Sequence, residues 1–172
     1  MTTAQAHPNI ALVKYWGKQE RSGNLPATPN LSITLAGLTT TTQVTGAAED
    51  TFVLNDATAD DPKLRRWLET LRGSFDIPPL AIHSSNDFPT SAGLASSASG
   101  FAALITEINA HCELGLDHAM CSEWARVGSA SAARSIFGGF VALVPPQWWA
   151  IPMAKKEHWP LEVIVAVPST EA

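Results

Sequence analysis

The run from Asn86 to Gly100 is a turn of small residues that leads directly into an amphipathic helix. Gly93 permits backbone angles closed to other residues and lets a ligand approach the main chain. Ser96 and Ser97 set hydroxyls beside the first unpaired N–H groups of that helix, where partial positive charge collects. A helix mouth of this kind holds phosphate. A serine hydroxyl there also suits Mg2+, and Ser96 and Ser97 qualify equally. The same residues also describe a plain capped helix after a loop.

Cationic side chains stand in two other segments. Lys14 closes the apolar stretch Ile10–Val13 and is followed by Tyr15, Trp16, Gly17 and Lys18. A lone buried lysine is costly, so Lys14 reaches a cleft or an anion, or it snorkels to solvent. Tyr15 offers a hydroxyl to a ligand or fills core. Farther on, Ser129, Ser131 and Arg134 form a Ser-x-Ser-x-x-Arg pattern. The planar fork of an arginine matches a carboxylate or a diphosphate, and both serines are close enough in sequence to bond the same anion. The bland alternative is a surface arginine among solvated serines. His7, His83, His111, His118 and His158 have no ligand spacing on any one element and read as structural or solvent-facing.

The segment Ala6–Lys18 with Asn24-Leu25-Pro26, the Gly93 run and the segment Gly128–Phe140 together resemble the diphosphomevalonate decarboxylase family. That family is a branch of the GHMP small-molecule kinases. The Gly93 run marks the superfamily; Lys-Tyr-Trp-Gly-Lys and Ser-x-Ser-x-x-Arg mark the branch. The resemblance implies an N-terminal GHMP domain over residues 1–172, related to the second domain of ribosomal protein S5. It implies ATP and Mg2+ as cofactors and mevalonate 5-diphosphate as substrate. The reaction would be phosphorylation of the 3-hydroxyl, then loss of phosphate and carbon dioxide to give isopentenyl diphosphate.

By the same resemblance, Pro89, Gly93, Leu94, Ala95, Ser96 and Ser97 bind the nucleotide, and Lys14 and Arg134 are catalytic. Tyr15, Lys18, Ser129, Ser131 and Arg134 bind substrate, with Arg134 on the carboxylate of the mevalonate unit. The family's catalytic Asp belongs to a C-terminal domain, and no residue here takes its role. The expectation is an N-terminal portion, inactive in isolation, with a C-terminal half or a second copy as partner. Thr28–Ser32 departs from the family's Ser-rich segment, and Pro29 and Asn30 alter contacts to substrate or nucleotide. Competing readings are a GHMP kinase of another small alcohol, a branch that acts on a monophosphate or phosphorylates without decarboxylating, and a non-catalytic binding module.

These residues need a scaffold, and the length suits one domain with a real core. The net charge of −5 lacks the basic surplus of nucleic-acid binders. No apolar run approaches the roughly 20 residues that span a bilayer, and no secretory leader is evident. Cys112 and Cys121 match no zinc pattern and read as reduced thiols of a cytoplasmic protein.

Strands and helices mix without a regular βαβ rhythm, the mark of an α+β fold. Ile10–Tyr15 reads as a short buried strand and Leu31–Leu35 as a half-buried one. The Thr-rich stretch Thr39–Thr45 reads as an exposed strand. Gly37 reads as a bulge between these last two, and Thr51–Leu54 as a hairpin partner for the Thr-rich strand. Leu64, Trp67, Leu68 and Leu71 predict a helix capped by an Asp, started near Pro62 and stopped at Gly73. Leu80–His83 predicts a strand before the Gly93 turn. A second helix follows the turn with Ala98, Phe101, Ala102, Ile105, Ile108 and Cys112 on one face. A third helix, capped by Asp117, turns Met120, Cys121, Trp124 and Val127 inward. Phe140–Val144 and the apolar Leu161–Val167 predict the last strands. Trp148 and Trp149 read as an exposed loop.

Overall fold

A computed structural model describes residues 2–89 and 94–166. In chain order the strands are β1 (Ala4–Ala6), β2 (Asn9–Val13), β3 (Asn30–Thr34), β4 (Thr40–Gly46), β5 (Thr51–Leu54), β6 (Ala57–Thr58), β7 (Leu80–Asn86), β8 (Phe140–Leu143) and β9 (Ala150–Ala154). The helices are α1 (Pro62–Arg72), α2 (Ser96–His111), α3 (His118–Gly128) and the single turn α4 (Ala132–Ser135). The strands form two sheets, ordered β1-β4-β7-β5-β6 and β2-β3-β8-β9. The architecture is α+β, as the mixed pattern predicts.

Helix boundaries follow from local chemistry. The Asp61 carboxylate accepts the backbone N–H groups of Lys63 and Leu64 at 2.8 and 3.2 Å, which caps α1. The N–H of Gly73 closes that helix on the Glu69 carbonyl at 3.1 Å. Asp117 caps α3 by accepting the Met120 N–H at 2.8 Å. Apolar residues at helical spacing then face inward: Leu64, Trp67, Leu68 and Leu71 from α1, and Ala98, Phe101, Ala102, Ile105 and Ile108 from α2. The larger of these, Leu64, Trp67, Leu68, Leu71, Phe101, Ile105 and Ile108, pack with Val44, Leu80 and Ile82 from the first sheet into one apolar core. A Cβ at Gly128 would run into the Phe101 ring, so α2 and α3 approach closely only because that residue is glycine.

Several sequence expectations are corrected by long-range packing. Ile10, Leu12 and Val13 are 40%, 46% and 54% exposed on β2, an edge strand, so the strand is not a buried one. The Thr-rich strand β4 is interior to its sheet, with Thr40 and Thr42 buried against α2. Their hydroxyls make this burial tolerable: Thr40 bonds Ser99 at 2.6 Å and Thr42 bonds Ser84 at 2.9 Å. β5 pairs parallel with β7 and antiparallel with β6, not with β4. Gly37 lies in the turn that crosses from one sheet to the other, so no bulge joins β3 to β4.

Met120 faces solvent at 43% exposure, one position off the inner face of α3. Trp148 is 4% exposed and packs with Ala133, Val141, Leu143 and Ala150 in a second, smaller cluster. Leu161–Ala166 is exposed and forms no strand, having no ladder partner among the described residues; Val167 lies outside them.

Candidate functional site

The chemistry expected of Arg134 rests on α4 and the second sheet. Arg134 is 2% exposed. Its Nε donates to the Ser32 hydroxyl at 2.9 Å and its Nη2 to the Asn9 carboxamide oxygen at 3.1 Å. Its Nη1 donates to the Asn30 carboxamide oxygen. All three acceptors are neutral. Among the described residues no carboxylate lies within ion-pair distance of this guanidinium. Burial pushes its pKa down from the usual arginine range to about 10, and the Tyr15 phenol opposes the change. Buried charges ordinarily sit against an opposite charge, because isolation in a low dielectric is costly. An unpaired buried guanidinium is therefore a strong anion-binding candidate.

Arg134 connects to the mouth of α2 through a chain of short polar contacts. The Asn9 amide donates to the Ser131 carbonyl at 3.0 Å and to the Ser135 hydroxyl at 2.7 Å. The Ser131 hydroxyl stands 3.4 Å from that of Ser129, which stands 3.4 Å from that of Ser97. Two motifs far apart in sequence thus share one polar strip. Ser96 is half-buried and Ser97 exposed at the start of α2. The residue that precedes the helix, Ala95, is left-handed at φ 54° and has no side-chain oxygen to cap it. The capped-helix alternative is therefore not realised at this position. A non-glycine residue held left-handed stores backbone strain, a feature that clusters at functional sites. Leu94 is half-buried and Pro89 exposed. Gly93 lies outside the described residues.

Beside Ser96 and Ser97 opens a cavity of about 260 Å³ between α1, α2 and the first sheet. Phe52, Leu54, Ile82 and Leu104 supply apolar walls, while Asn86 and Lys63 supply polar ends. Lys63 was not legible as a site residue. Its ammonium lies 5.1 Å from the centre of the Phe101 ring. Burial holds its pKa below the usual lysine range, with Asp61 opposing and Lys18 adding to the effect. The one signal in the sequence is a lysine in the first turn of a helix, where the dipole disfavours a cation.

Lys18 is fixed by its own loop. Its ammonium donates to the Asn24 carboxamide oxygen at 2.7 Å. The Asn24 amide donates in turn to the Val127 carbonyl at 2.5 Å, at the end of α3. Buried Arg126 fastens the same loop by donating to the Gly23 carbonyl, and reaches the Trp148 carbonyl at 2.9 Å. Tyr15 is half-buried and within electrostatic reach of Arg134. Lys14 is exposed, with its ammonium 5.2 Å from the centre of the Trp16 ring. It makes no hydrogen bond to Arg134 or Ser97. The structure thus joins Arg134, Ser131, Ser129 and Ser97, sets Tyr15 within electrostatic reach of Arg134 and Lys18 within that of Lys63, and leaves Lys14 exposed beside Trp16.

Comparison with known proteins decides the family. Residues 6–147 match the family model described as the diphosphomevalonate decarboxylase-like N-terminal domain. The chain belongs to the diphosphomevalonate decarboxylase family. It is 39% identical to the diphosphomevalonate decarboxylase of Candida albicans over 95% of its own length and 52% of that protein's. It is 38% identical to that of Saccharomyces cerevisiae, covering 92% of this chain and 43% of the yeast protein. The mevalonate diphosphate decarboxylase of Enterococcus faecalis superposes with a TM-score of 0.82 at 40% identity, over 88% of this chain and 51% of that one. A second structure, described as MDDEF in complex with MVAPP, AMPPCP and magnesium, gives 0.78 at 41% identity, over 87% of this chain and 50% of that one. The chain spans about half the length of the curated relatives it matches. As a member of the diphosphomevalonate decarboxylase family it carries the N-terminal domain, and its α+β fold is that domain's fold. Among the described residues no helix is long and apolar enough to cross a membrane.

Proposed function

We propose that this chain supplies the nucleotide- and substrate-binding half of an enzyme that decarboxylates mevalonate 5-diphosphate at the expense of ATP. The observation that carries the reading is the buried Arg134 fork, bonded to neutral groups alone and linked through Asn9, Ser131 and Ser129 to the mouth of α2. A relative solved with both a substrate and an ATP analogue supports the assignment of two neighbouring polyanions.

In this reading Arg134 grips the carboxylate of the mevalonate unit, and Ser129 and Ser131 hold the same molecule by their hydroxyls. Tyr15 and Lys18 close the site from the N-terminal loop, Lys18 on the phosphates. Lys14, at the rim, takes a catalytic role by turning its ammonium inward. The residues present fit a nucleotide. The cavity beside Ser96 accepts a flat base among Phe52, Leu54 and Leu104, and Lys63 stands where phosphates would emerge. Pro89, Leu94 and Ala95 flank them, and Gly93 is assigned to the nucleotide by the family resemblance. Ser96 or Ser97 offers the hydroxyl for Mg2+, which with ATP supplies a phosphoryl donor and neutralises its charge. Positioning and electrostatics do most of the work in such a transfer.

The Asp that orients the 3-hydroxyl would come from a C-terminal half, so residues 1–172 alone are expected to turn over poorly. We place the reaction in the cytoplasm, which fits two cysteines that are both free. The test is an assay of the intact protein with ATP, Mg2+ and mevalonate 5-diphosphate. Release of carbon dioxide with an alkene diphosphate supports the proposal. A stable phosphorylated acid would make the protein a kinase, and no binding of either ligand would leave a structural module.

A further inference from the structure

We propose that Asn30 is a positioning residue that holds the Arg134 fork through a neutral amide, so that the fork keeps its full charge for a carboxylate-bearing ligand. This rests on the substrate reading above and adds to it a residue outside the motifs that carry that reading. Asn30 is the first residue of β3 and is 3% exposed. Its backbone is pinned by the sheet, opposite Leu143 of β8. Its carboxamide nitrogen donates to the Thr28 carbonyl at 3.3 Å. That bond turns the carboxamide oxygen toward Arg134, where it accepts from Nη1. Ser32, two residues on and on the same face, accepts from Nε at 2.9 Å.

An aspartate at position 30 would fill nearly the same volume and hold the same nitrogen by a stronger, charge-assisted bond. What it would remove is the net charge of the fork. A position that needed only to anchor Arg134 would be served better by the acid. The amide serves where the charge must stay available, because the anion that completes the site comes from outside the chain. The segment Thr28–Ser32, which departs from the family's Ser-rich segment, therefore sets the electrostatics of the site.

The test is calorimetric titration of the intact protein with mevalonate 5-diphosphate and, separately, with isopentenyl diphosphate, which lacks the carboxylate. Asn30→Asp should weaken the first ligand by at least about tenfold and leave the second within about twofold. Asn30→Ala, which keeps the charge but frees one nitrogen, should weaken the first ligand by about threefold and spare the second. Should Asn30→Asp fail to fold, Asn30→Ala decides alone, and wild-type affinity in that variant overturns the proposal. Equal weakening of both ligands overturns it too, since that marks a general structural role. Wild type binding the first ligand while Asn30→Asp binds it equally well overturns the assignment to Asn30 only. Wild type binding neither ligand overturns the substrate reading and this proposal together.

Discussion

The molecule has two interiors of opposite character. Under the first sheet, Leu71, Leu80, Ile105 and Ile108 are fully buried among other apolar side chains. Beside the small apolar cluster of the second sheet lies a polar one, in which Arg134, Asn9, Asn30, Ser32 and Ser135 are each buried at 5% exposure or less. The first interior is what hydrophobic burial produces unaided, at about 25 cal/mol for each Å² removed from water. The second contributes little by that route, and its isolated charge costs folding free energy. A fold retains such a region where something other than stability depends on it. The difference between the two interiors separates residues that hold the molecule together from residues that we propose bind a ligand.

Substitutions can break or sharpen that contrast. The largest effect should come from Arg134→Ala, which we expect to lower kcat/KM of the intact protein at least about 100-fold, or about 2.7 kcal/mol. Arg134→Lys should rescue little, since a single ammonium cannot reproduce the fork; wild-type kinetics in either variant would erase the distinction. Leu71→Ala should do the reverse. We expect a loss of about 2–5 kcal/mol in urea unfolding with ligand affinity unchanged.

Gly128→Ala tests the seam between the regions, because it crowds Phe101 on one side and adjoins Ser129 on the other. A destabilisation of about 1–3 kcal/mol should accompany weaker substrate binding. The smallest effect belongs to the Asp50–Arg72 ion pair at 2.6 Å, remote from the site. The bond from Arg72 holds the Asp50 carboxyl below its ordinary 3.8. Its contribution is therefore full above that value and is lost as pH falls through the lower native one. Asp50→Asn should cost about 1–2 kcal/mol at neutral pH. The gap to wild type should close in acid and ligand affinity should not move. A gap that persisted at low pH would refute the ionic account.

The apolar interior was largely legible in the sequence, because its signals are local. The spacing of Leu64, Trp67, Leu68 and Leu71, the caps Asp61 and Asp117, and the inner face of α2 all stand where periodicity puts them. The errors arose where a distant partner decides. A row of threonines reads as solvent-facing until Ser84 and Ser99 arrive to bond it. The polar interior was legible only by its motifs. Arg134, Ser129 and Ser131 could be named and Asn30 marked as altering contacts, but the convergence of Asn9, Asn30 and Ser32 on the guanidinium is set by the pairing of two other strands. Lys63 was hidden for the same reason, since only the tertiary fold sets α1 beside the start of α2.

One irregularity in β2 bears on Lys14, the lysine proposed for catalysis. The pairing with β3 slips between Ala11 and Val13: Ala11 sits opposite Ser32 and Val13 opposite Leu31, with Leu12 left as the extra residue. In an unbroken ladder, odd-numbered positions would keep to the side of Asn9 and Ala11, and position 14 would point away from it. The inserted residue reverses the parity. Val13 moves to the outer surface, and the position after it swings to the side where Asn30 and Ser32 hold the guanidinium. A single unpaired peptide unit thereby decides which half-space the Lys14 ammonium can sweep.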